Sequence, residues 1–429
     1  MGAFAIVAAL LPGCVNTKFK SNAPGQAFAV ADEPLAAAVG RDLLFQGGSA
    51  ADAATGMALA MTATLPSRVG VAGGGVCVVF DATAKRVRTL DFLPRAAPGG
   101  TAAPSLLRAL YALQATGGGT LRWEQAVVPA ETLALESPGV TRALAQDIQA
   151  ASARLTDAEA RRLFLPDGRP LAEGARLRQP ELAAVLSQVR RNGPNALAAG
   201  STGQALAGAF HLDPAALRAA TPQWRDTVAV RIDSTRNLHL ADLPEPDAGA
   251  AIAKAWAAAE NAPPAERAAR AAQALGALTG AVAPGAGLVA MDVRENAVAC
   301  AFTMGGLFGT GKVAPGTGVL GASGVDRAGF GAPGVVANTI VGRALFGGVG
   351  TATGNDGPAA GPAALLAGAL PAVLDDRPAG EVLAARGDGP GRVDLVTCQV
   401  SLENLLKDCQ TAADPRARGI AHDMLLPRD

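Results

Sequence analysis

The sequence is poor in several kinds of residue, and each shortage excludes a class of function. Lysine plus arginine and aspartate plus glutamate both number 37, so the chain lacks the basic excess that nucleic-acid binding uses. Aromatic residues make up 4%, too few for platforms that stack bases or sugars. No apolar run reaches the roughly 18 residues of a membrane-spanning helix. The three histidines and five cysteines lack metal-ligand spacing, so we expect no metal and no other cofactor.

The chain is rich in the residues that build a folded core. Of its 429 residues 49% are hydrophobic and 17% are charged, which excludes bulk disorder. The length corresponds to about three domains, or to one large unit with elaborations. The 52 glycines and 29 prolines imply many tight turns.

The amino terminus resembles a bacterial lipoprotein signal. Residues 1–13 are uncharged and apolar, and Leu-Pro-Gly-Cys at residues 11–14 resembles a lipobox, whose cysteine receives a lipid. The sequence therefore predicts a signal over 1–14, lipidation at Cys14, a tether over 15–26 and a lipid-anchored protein of the cell envelope, on its periplasmic or extracellular side. The missing basic region would be explained by a true start upstream of Met1. The alternative is a buried apolar strand at the amino terminus.

The remaining four cysteines fall into two groups. Cys77 and Cys300 lie in strand-like apolar runs, and we expect both to be small buried hydrophobic side chains. Cys398 and Cys409 flank a hairpin-like segment. If residues 403–404 form its turn, the two cysteines face each other across the strands, and a disulfide there is compatible with the spacing.

Local patterns predict alternating groups of helices and strands. Strands are expected over 27–30, 76–81 and 87–92, with helices over 33–45 and 49–64 between the first two. Residues 101–225 and 249–279 are predicted to be mostly helical. Strands follow over 288–292 and 297–303, a Gly-rich segment extends to about residue 354, helices cover 362–370 and 380–385, and a hairpin spans 393–412. Strand pairs between helix pairs suggest a layered α/β/β/α domain.

Two features of the first region have competing interpretations. The glycines between Gly70 and Gly75 could bind an anion through their amides, but the loop precedes a strand rather than a helix, which favours close chain packing. Arg95 follows the second strand of the hairpin, where it could bind a carboxylate or simply be a solvated turn residue.

The order of motifs resembles the γ-glutamyltranspeptidase family from about residue 27 onward. The resemblance implies the fold of the N-terminal-nucleophile hydrolases, a four-layer αββα sandwich with a mostly helical middle region. It also implies a large-subunit-like region over 27–279 and a small-subunit-like region over 280–429, interleaved in one fold. The motifs are Pro34-Leu35-Ala36-Ala37, residues 47–54, Gly73-Gly74-Gly75, Leu90-Asp91-Phe92, residues 163–170, 178–182 and 222–225, residues 296–299, Phe308-Gly309-Thr310-Gly311, residues 315–320 and Ala413-Asp414-Pro415-Arg416.

The family's chemistry depends on a threonine that this sequence lacks. The resemblance implies self-cleavage before a threonine, whose hydroxyl then attacks a γ-glutamyl amide with its own free amine as base. Counting back from Asp292, the nucleophile position falls on Gly285, and no Ser, Thr or Cys occurs between Gly280 and Ala299. A glycine can neither cleave the chain by this route nor form an acyl-enzyme.

The family's substrate-binding positions are also changed. The resemblance assigns to them Gly305 in place of a donor-binding asparagine, Gly324 and Arg327 within a former amide- and acid-rich segment, and Gly334 with Val335 at a former serine pair. The oxyanion loop corresponds to residues 354–358, where Gly357 is followed by Pro358, which has no N–H to donate. Arg95 is the one position that resembles the family's carboxylate-binding arginine.

We therefore expect an unprocessed, non-catalytic relative that binds a protein or small ligand, of unknown identity, or acts as a scaffold in the cell envelope. One alternative is an enzyme with another nucleophile, Thr303 or Cys300. A second is an active γ-glutamyl transferase or hydrolase for glutathione-like γ-glutamyl amides, whose nucleophile is misaligned here.

Overall fold

A computed structural model describes residues 25–96, 100–242, 248–276, 278, 282–325, 328–400 and 407–427. Three predicted features lie outside these residues, namely the lipidation site Cys14, the substituted position Arg327 and the turn at 403–404. Within the described ranges, no helix is long and apolar enough to cross a bilayer.

Local sequence signals place the first elements. Strand β1 (Gly25–Ala31) leads into helix α1 (Pro34–Phe45), and Glu33 caps this helix by accepting a hydrogen bond from the Ala36 amide at 2.7 Å. Helix α2 (Ala50–Thr64) begins with a capping box in which Ser49 and Asp52 exchange hydrogen bonds. The last two residues of the expected tether, Gly25 and Gln26, belong to β1 and pair with β15 (Ile420–Leu426).

The Gly-rich loop is explained by close packing, as the sequence favoured. It leads into the hairpin β2 (Gly74–Asp81) and β3 (Arg86–Phe92). A Cβ atom on Gly74 would lie 2.2 Å from the Phe92 carbonyl oxygen, and one on Gly75 would lie 2.2 Å from that of Ala301. Only glycine allows backbones to approach this closely.

The middle of the chain is mostly helical, as predicted. Its helices are α3 (Leu106–Thr116), α4 (Trp123–Glu136), α5 (Arg142–Ala151), α6 (Ala158–Phe164), α7 (Pro180–Asn192), α8 (Gly200–Phe210), α9 (Pro214–Ala219), α10 (Ala248–Ala259) and α11 (Pro264–Leu275). Three strands interrupt them, namely β4 (Gln223–Arg225), β5 (Thr227–Arg231) and β6 (Asn237–Ala241).

The last part of the chain supplies the remaining strands and two helices. These elements are β7 (Gly285–Met291), β8 (Ala297–Thr303), β9 (Val313–Ala314), β10 (Val319–Leu320), β11 (Gly331–Asn338), β12 (Arg343–Thr351), α12 (Ala360–Leu374), α13 (Ala379–Arg386), β13 (Arg392–Val400), β14 (Lys407–Ala412) and β15 (Ile420–Leu426). Strands β11 and β12 lie in the Gly-rich segment to which the sequence analysis assigned no elements.

Two antiparallel sheets form the middle layers. One has the order β15-β1-β7-β8-β2-β3-β4 and the other the order β14-β13-β12-β11-β6-β5. A buried cluster that includes Val30, Val78, Ala299 and Val335 fills the space between the sheets. Helices α1 to α8 pack outside the first sheet, and α10 to α13 pack outside the second. The predicted four-layer αββα sandwich is therefore confirmed.

Cys77 and Cys300 are buried in the core as expected, but the sequence analysis did not foresee that they are bonded to each other. They face each other on β2 and β8 and form a disulfide with a Cα–Cα distance of 4.1 Å. The sequence signal was local, whereas the pairing depends on the register of two strands far apart in the chain. Cys398 and Cys409 also form a disulfide, across β13 and β14.

Candidate functional site

Gly285, the position assigned to the family nucleophile, is the first residue of β7 and sits in regular backbone. It pairs with Thr303 of β8, and its amide donates to the Ala352 carbonyl oxygen at 2.9 Å. A Cβ atom on Gly285 would lie 2.5 Å from the Phe330 carbonyl oxygen. The backbone around residue 330 therefore fills the space that a nucleophilic side chain would need.

Two buried arginines hold the Gly285 carbonyl. Arg68 and Arg392 donate to this oxygen at 3.3 and 3.1 Å, and Arg392 also donates to the Ala352 carbonyl at 3.4 Å. Both side chains are nearly inaccessible to solvent. The strand end that would carry the nucleophile is thus fixed through its carbonyl group by charge-assisted hydrogen bonds.

Arg68 is neutralised by a buried carboxylate of α5. Its guanidinium donates two hydrogen bonds of 2.7 Å to Asp147, one to each carboxylate oxygen. The Ser67 hydroxyl adds a hydrogen bond of 2.6 Å to the same carboxylate. Coulombic attraction and hydrogen bonding by Asp147 outweigh the opposing effect of burial and raise the pKa of Arg68. This bidentate geometry favours a permanently charged pair.

A pair of buried aspartates lies beside this network, between the two sheets. Asp32 follows β1 and accepts from the Gly287 amide at 2.8 Å, while Asp394 on β13 accepts from the Asp414 amide at 2.9 Å. The two carboxyl groups lie close enough for the charge of Asp32 to raise the pKa of Asp394, and one carboxylate oxygen of Asp394 has no hydrogen-bond partner among the described residues. Burial raises the pKa of Asp32 to about 6, and it raises the pKa of Asp394 well above its usual range. Each of these carboxyl groups therefore keeps its proton to a higher pH than an exposed aspartate does.

The two candidate replacement nucleophiles are both engaged. The sulfur of Cys300 is bonded to that of Cys77. The buried Thr303 hydroxyl donates to the Pro284 carbonyl at 2.8 Å and accepts from the Gly305 amide at 3.0 Å. No basic group is among these partners of Thr303, so its hydroxyl has nothing in contact that could take its proton.

A cavity of about 630 Å³ opens next to Gly285. It brings together Gly305 and Gly324, two positions that the sequence analysis assigned to substrate binding, with Gly354 of the segment assigned to the oxyanion loop. Its lining residues are Ala150, Arg154, Val282, Ala283, Pro284, Gly305, Gly306, Leu307, Gly324, Val325, Thr353, Gly354 and Asn355.

The other predicted site residues that the structure describes are not among those that line this cavity. A Cβ atom on Gly334 would meet leucine side chains, including Leu365 of α12, and Val335 packs between the sheets. Gly357 and Pro358 are not among the lining residues. Arg95 is half exposed and ion-paired at 2.7 Å with Asp91, so neither a substrate carboxylate nor bulk solvent is its main partner.

Sequence reasoning missed the charged residues that surround Gly285. Arg392 and Asp394 interrupt a strand that is otherwise apolar through residue 396, and Asp32 follows an apolar strand directly. Charged groups at such buried positions were a usable signal, but their partners are set by contacts between distant segments. Among the described residues, no group of three or more His, Cys, Asp or Glu side chains could hold a metal ion.

Comparisons with known proteins match this architecture. A family model described as Gamma-glutamyltranspeptidase matches residues 36–103 and 94–283, together more than half of the chain. The glutathione hydrolase proenzyme of Bacillus subtilis (strain 168) is 31% identical over 196 residues, 40% of this chain and 33% of that protein. The acylase ACY 1 proenzyme of Pseudomonas sp. (strain V22) is 32% identical over 208 residues, 41% of this chain and 37% of that protein. The chain thus spans roughly a third of the length of these relatives.

Solved structures share the fold at lower identity. Cephalosporin acylase from Bacillus halodurans has a TM-score of 0.66 and 16% identity, covering 97% of this chain and 99% of that chain. The γ-glutamyltranspeptidase of Helicobacter pylori has a TM-score of 0.52 and 21% identity, covering 56% of this chain and 79% of that chain. Both likenesses concern the fold, which is that of the N-terminal-nucleophile hydrolases.

Proposed function

Because this chain belongs to the γ-glutamyltranspeptidase family, we propose that it is an unprocessed, non-catalytic member that uses the retained cavity to bind a ligand or partner. The observation that carries the proposal is at Gly285. This residue has no side chain, and the Phe330 carbonyl lies 2.5 Å from the place where a Cβ atom would be. The family's route needs a hydroxyl or thiol at that point, both to cut the chain and to attack the substrate.

The environment of the other hydroxyl and thiol groups supports the same conclusion. Cys300 is in a disulfide, so it has no thiolate to offer. Thr303 lies within a strand, and its hydroxyl donates to a backbone carbonyl rather than to a base. Neither residue is placed at a chain terminus, where a free amine would be the base.

The two disulfides support a location in the cell envelope. Disulfides persist in oxidising compartments, such as the bacterial periplasm and the cell surface, and are rare in the cytosol. The bonds Cys77–Cys300 and Cys398–Cys409 therefore agree with the lipid-anchored location that the lipobox-like sequence at Cys14 predicts. We propose that the protein acts there as a binding or scaffold component.

The proposal is tested by asking whether the purified chain is cut. We expect a single unbroken polypeptide across residue 285, by intact mass and by denaturing gel. Samples must be reduced, because Cys77–Cys300 would otherwise hold two fragments together. We also expect no release of amine from a γ-glutamyl anilide, with the B. subtilis relative as the positive control for the assay.

Two results would overturn this function. The first is a fragment whose new amino terminus is Thr, Ser or Cys, of which Thr279 and Cys300 are the nearest to Gly285 in the sequence. The second is turnover of the anilide by the purified protein, which would favour the alternative of an active γ-glutamyl transferase or hydrolase. If Thr303→Ala lost this turnover while wild-type protein purified in the same way kept it, Thr303 would be identified as a relocated nucleophile.

A further inference from the structure

The cavity beside Gly285 has one charged side chain among its lining residues, and this side chain is a cation. Arg154 follows α5 at the cavity wall and is exposed. Among the described residues, no carboxylate lies within ion-pair distance of its guanidinium. Thr353 and Asn355 supply polar groups, and the other lining residues are apolar or glycine.

A second cation lies behind the cavity wall. Arg392 is 3% exposed and donates to the carbonyls of Gly285 and Ala352, which adjoin the lining residues Pro284 and Thr353. Its Nε atom has no hydrogen-bond partner, and the described part of the chain offers it no carboxylate within ion-pair distance. A buried guanidinium that is held by carbonyl groups alone keeps its full charge, so it favours an anion nearby.

Backbone donors are available at the same cavity. The amides of the lining residues Gly306 and Leu307 have no hydrogen-bond partner within the described residues. They follow Gly305, whose φ of +76° turns the chain at this point. Consecutive unpaired amides beside a left-handed residue form a concave donor group that binds anions.

The described lining residues offer no carboxylate to an ammonium group. Asp356 adjoins the lining residue Asn355, and its Oδ2 atom accepts from the Thr353 amide and hydroxyl, both at 2.7 Å. An α-amino acid would therefore bring a positive charge to a lining whose one charged side chain, among the residues that the structure describes, is a cation.

We propose that this cavity binds a small organic carboxylate that carries no ammonium group, with Arg154 and the amides of Gly306 and Leu307 as its donors. This inference rests on the proposed non-catalytic function and names the class of its ligand. It also predicts that the cavity prefers a carboxylate without an ammonium group, whereas a site for free amino acids prefers ligands that carry both groups.

The test uses glutarate and glutamate, which differ only by the ammonium group, as probes for titration calorimetry on the full chain. We expect glutarate to bind, and glutamate to bind at least about fivefold more weakly. Arg154→Glu should weaken glutarate binding by roughly tenfold or more, since it replaces a charge-assisted hydrogen bond with repulsion. Arg176→Glu, an equal charge change at an exposed arginine outside the cavity, should leave it unchanged.

Any one of several results would overturn the inference. Glutamate could bind as tightly as glutarate, Arg154→Glu could bind glutarate as the wild-type protein does, or neither compound could bind. Binding of inorganic phosphate without glutarate would also overturn it, because the ligand class would then be wrong. These failures differ from failure of the proposed function. An unbroken, inactive chain that ignores glutarate contradicts the ligand alone, whereas a chain cut near residue 285 contradicts the function itself.

Discussion

At the scale of single residues, close backbone packing surrounds Gly285, the position that we propose corresponds to the family nucleophile. The Phe330 carbonyl that faces it is held by the Ala352 amide at 2.8 Å, and Ala352 in turn accepts from the Gly285 amide. Three backbone segments therefore meet with no room for a side chain. Placing a threonine at position 285 is therefore not enough to supply a nucleophile, because the Phe330 carbonyl must move before the hydroxyl can be accommodated.

We accordingly predict that Gly285→Thr destabilises the protein without creating activity. Overpacking against a fixed backbone carbonyl should lower the free energy of unfolding by about 1–3 kcal/mol. Thermal and urea unfolding measure this loss. Gly357→Ala is the matched control, because a Cβ atom there has no heavy atom within 4 Å and the residue is exposed. Self-cleavage or anilide hydrolysis by Gly285→Thr would show that the packing is not the obstacle.

At the scale of elements, Asp32 and Asp394 lie buried on neighbouring sheets and make the packing of the sheets sensitive to pH. Burial raises the pKa of both carboxyl groups, while Arg68 lowers that of Asp32 and the charge of Asp32 raises that of Asp394. The folded protein holds the Asp32 proton to about pH 6, whereas unfolded aspartates lose theirs near pH 4. Between these values the folded state binds more protons, so stability falls as the pH rises.

We predict that Asp394→Asn reduces this loss of stability. Asparagine can donate to the Asp32 carboxylate without ionising, so the variant should equal or exceed the wild type in stability at pH 8. The wild-type free energy of unfolding should fall relative to the variant by roughly 1–3 kcal/mol between pH 4.5 and 7.5. Urea unfolding across this range measures the difference.

The control for the pH experiment is Asp226→Asn, because the Asp226 side chain is 87% exposed. Its pH dependence should follow that of the wild type. Parallel curves for Asp394→Asn and the wild type would contradict the raised pKa values of Asp32 and Asp394. The two carboxyl groups would then titrate as ordinary aspartates.

The elements that the sequence predicted well are those with local signals. Helices α1 and α2 were found because Glu33 and Ser49 precede helical spacing and Gly47-Gly48 separates the two. Strands β11 and β12 were missed because their glycines are typical of loops. Here glycine serves packing instead, since a Cβ atom on Gly350 would lie 2.1 Å from the Gly361 carbonyl of α12.

The assignment of the nucleophile position to Gly285 stays a prediction, although the strand over which it counts back from Asp292 is continuous. The surroundings of Gly285 were not predictable from the sequence. The contacts of Arg68, Arg392 and Asp32 join segments more than 100 residues apart in the chain. Such contacts depend on the tertiary fold, and local pattern carries no information about them.

At the scale of the whole molecule, the two parts of the chain form one interleaved sheet. Strand β1 pairs with β7, and β2 pairs with β8, so neither part can complete the sheet alone. The Cys77–Cys300 disulfide adds a covalent link at the second of these junctions. The chain therefore does not depend on an intact connection at residue 285 to hold its halves together.

The two disulfides should contribute unequally to stability, and the difference follows from the lengths of chain that they close. A cross-link removes conformational entropy from the unfolded chain, by a constant amount plus an amount that rises with the logarithm of the loop length. The sequence separations are 223 for Cys77–Cys300 and 11 for Cys398–Cys409. By this relation Cys77→Ala/Cys300→Ala should lower the free energy of unfolding by about 5 kcal/mol, against about 3 kcal/mol for Cys398→Ala/Cys409→Ala.

Urea unfolding under oxidising conditions compares the two variants, each serving as the other's control. Equal losses, or a larger loss from the short loop, would mean that the long-range bond does not constrain the unfolded chain.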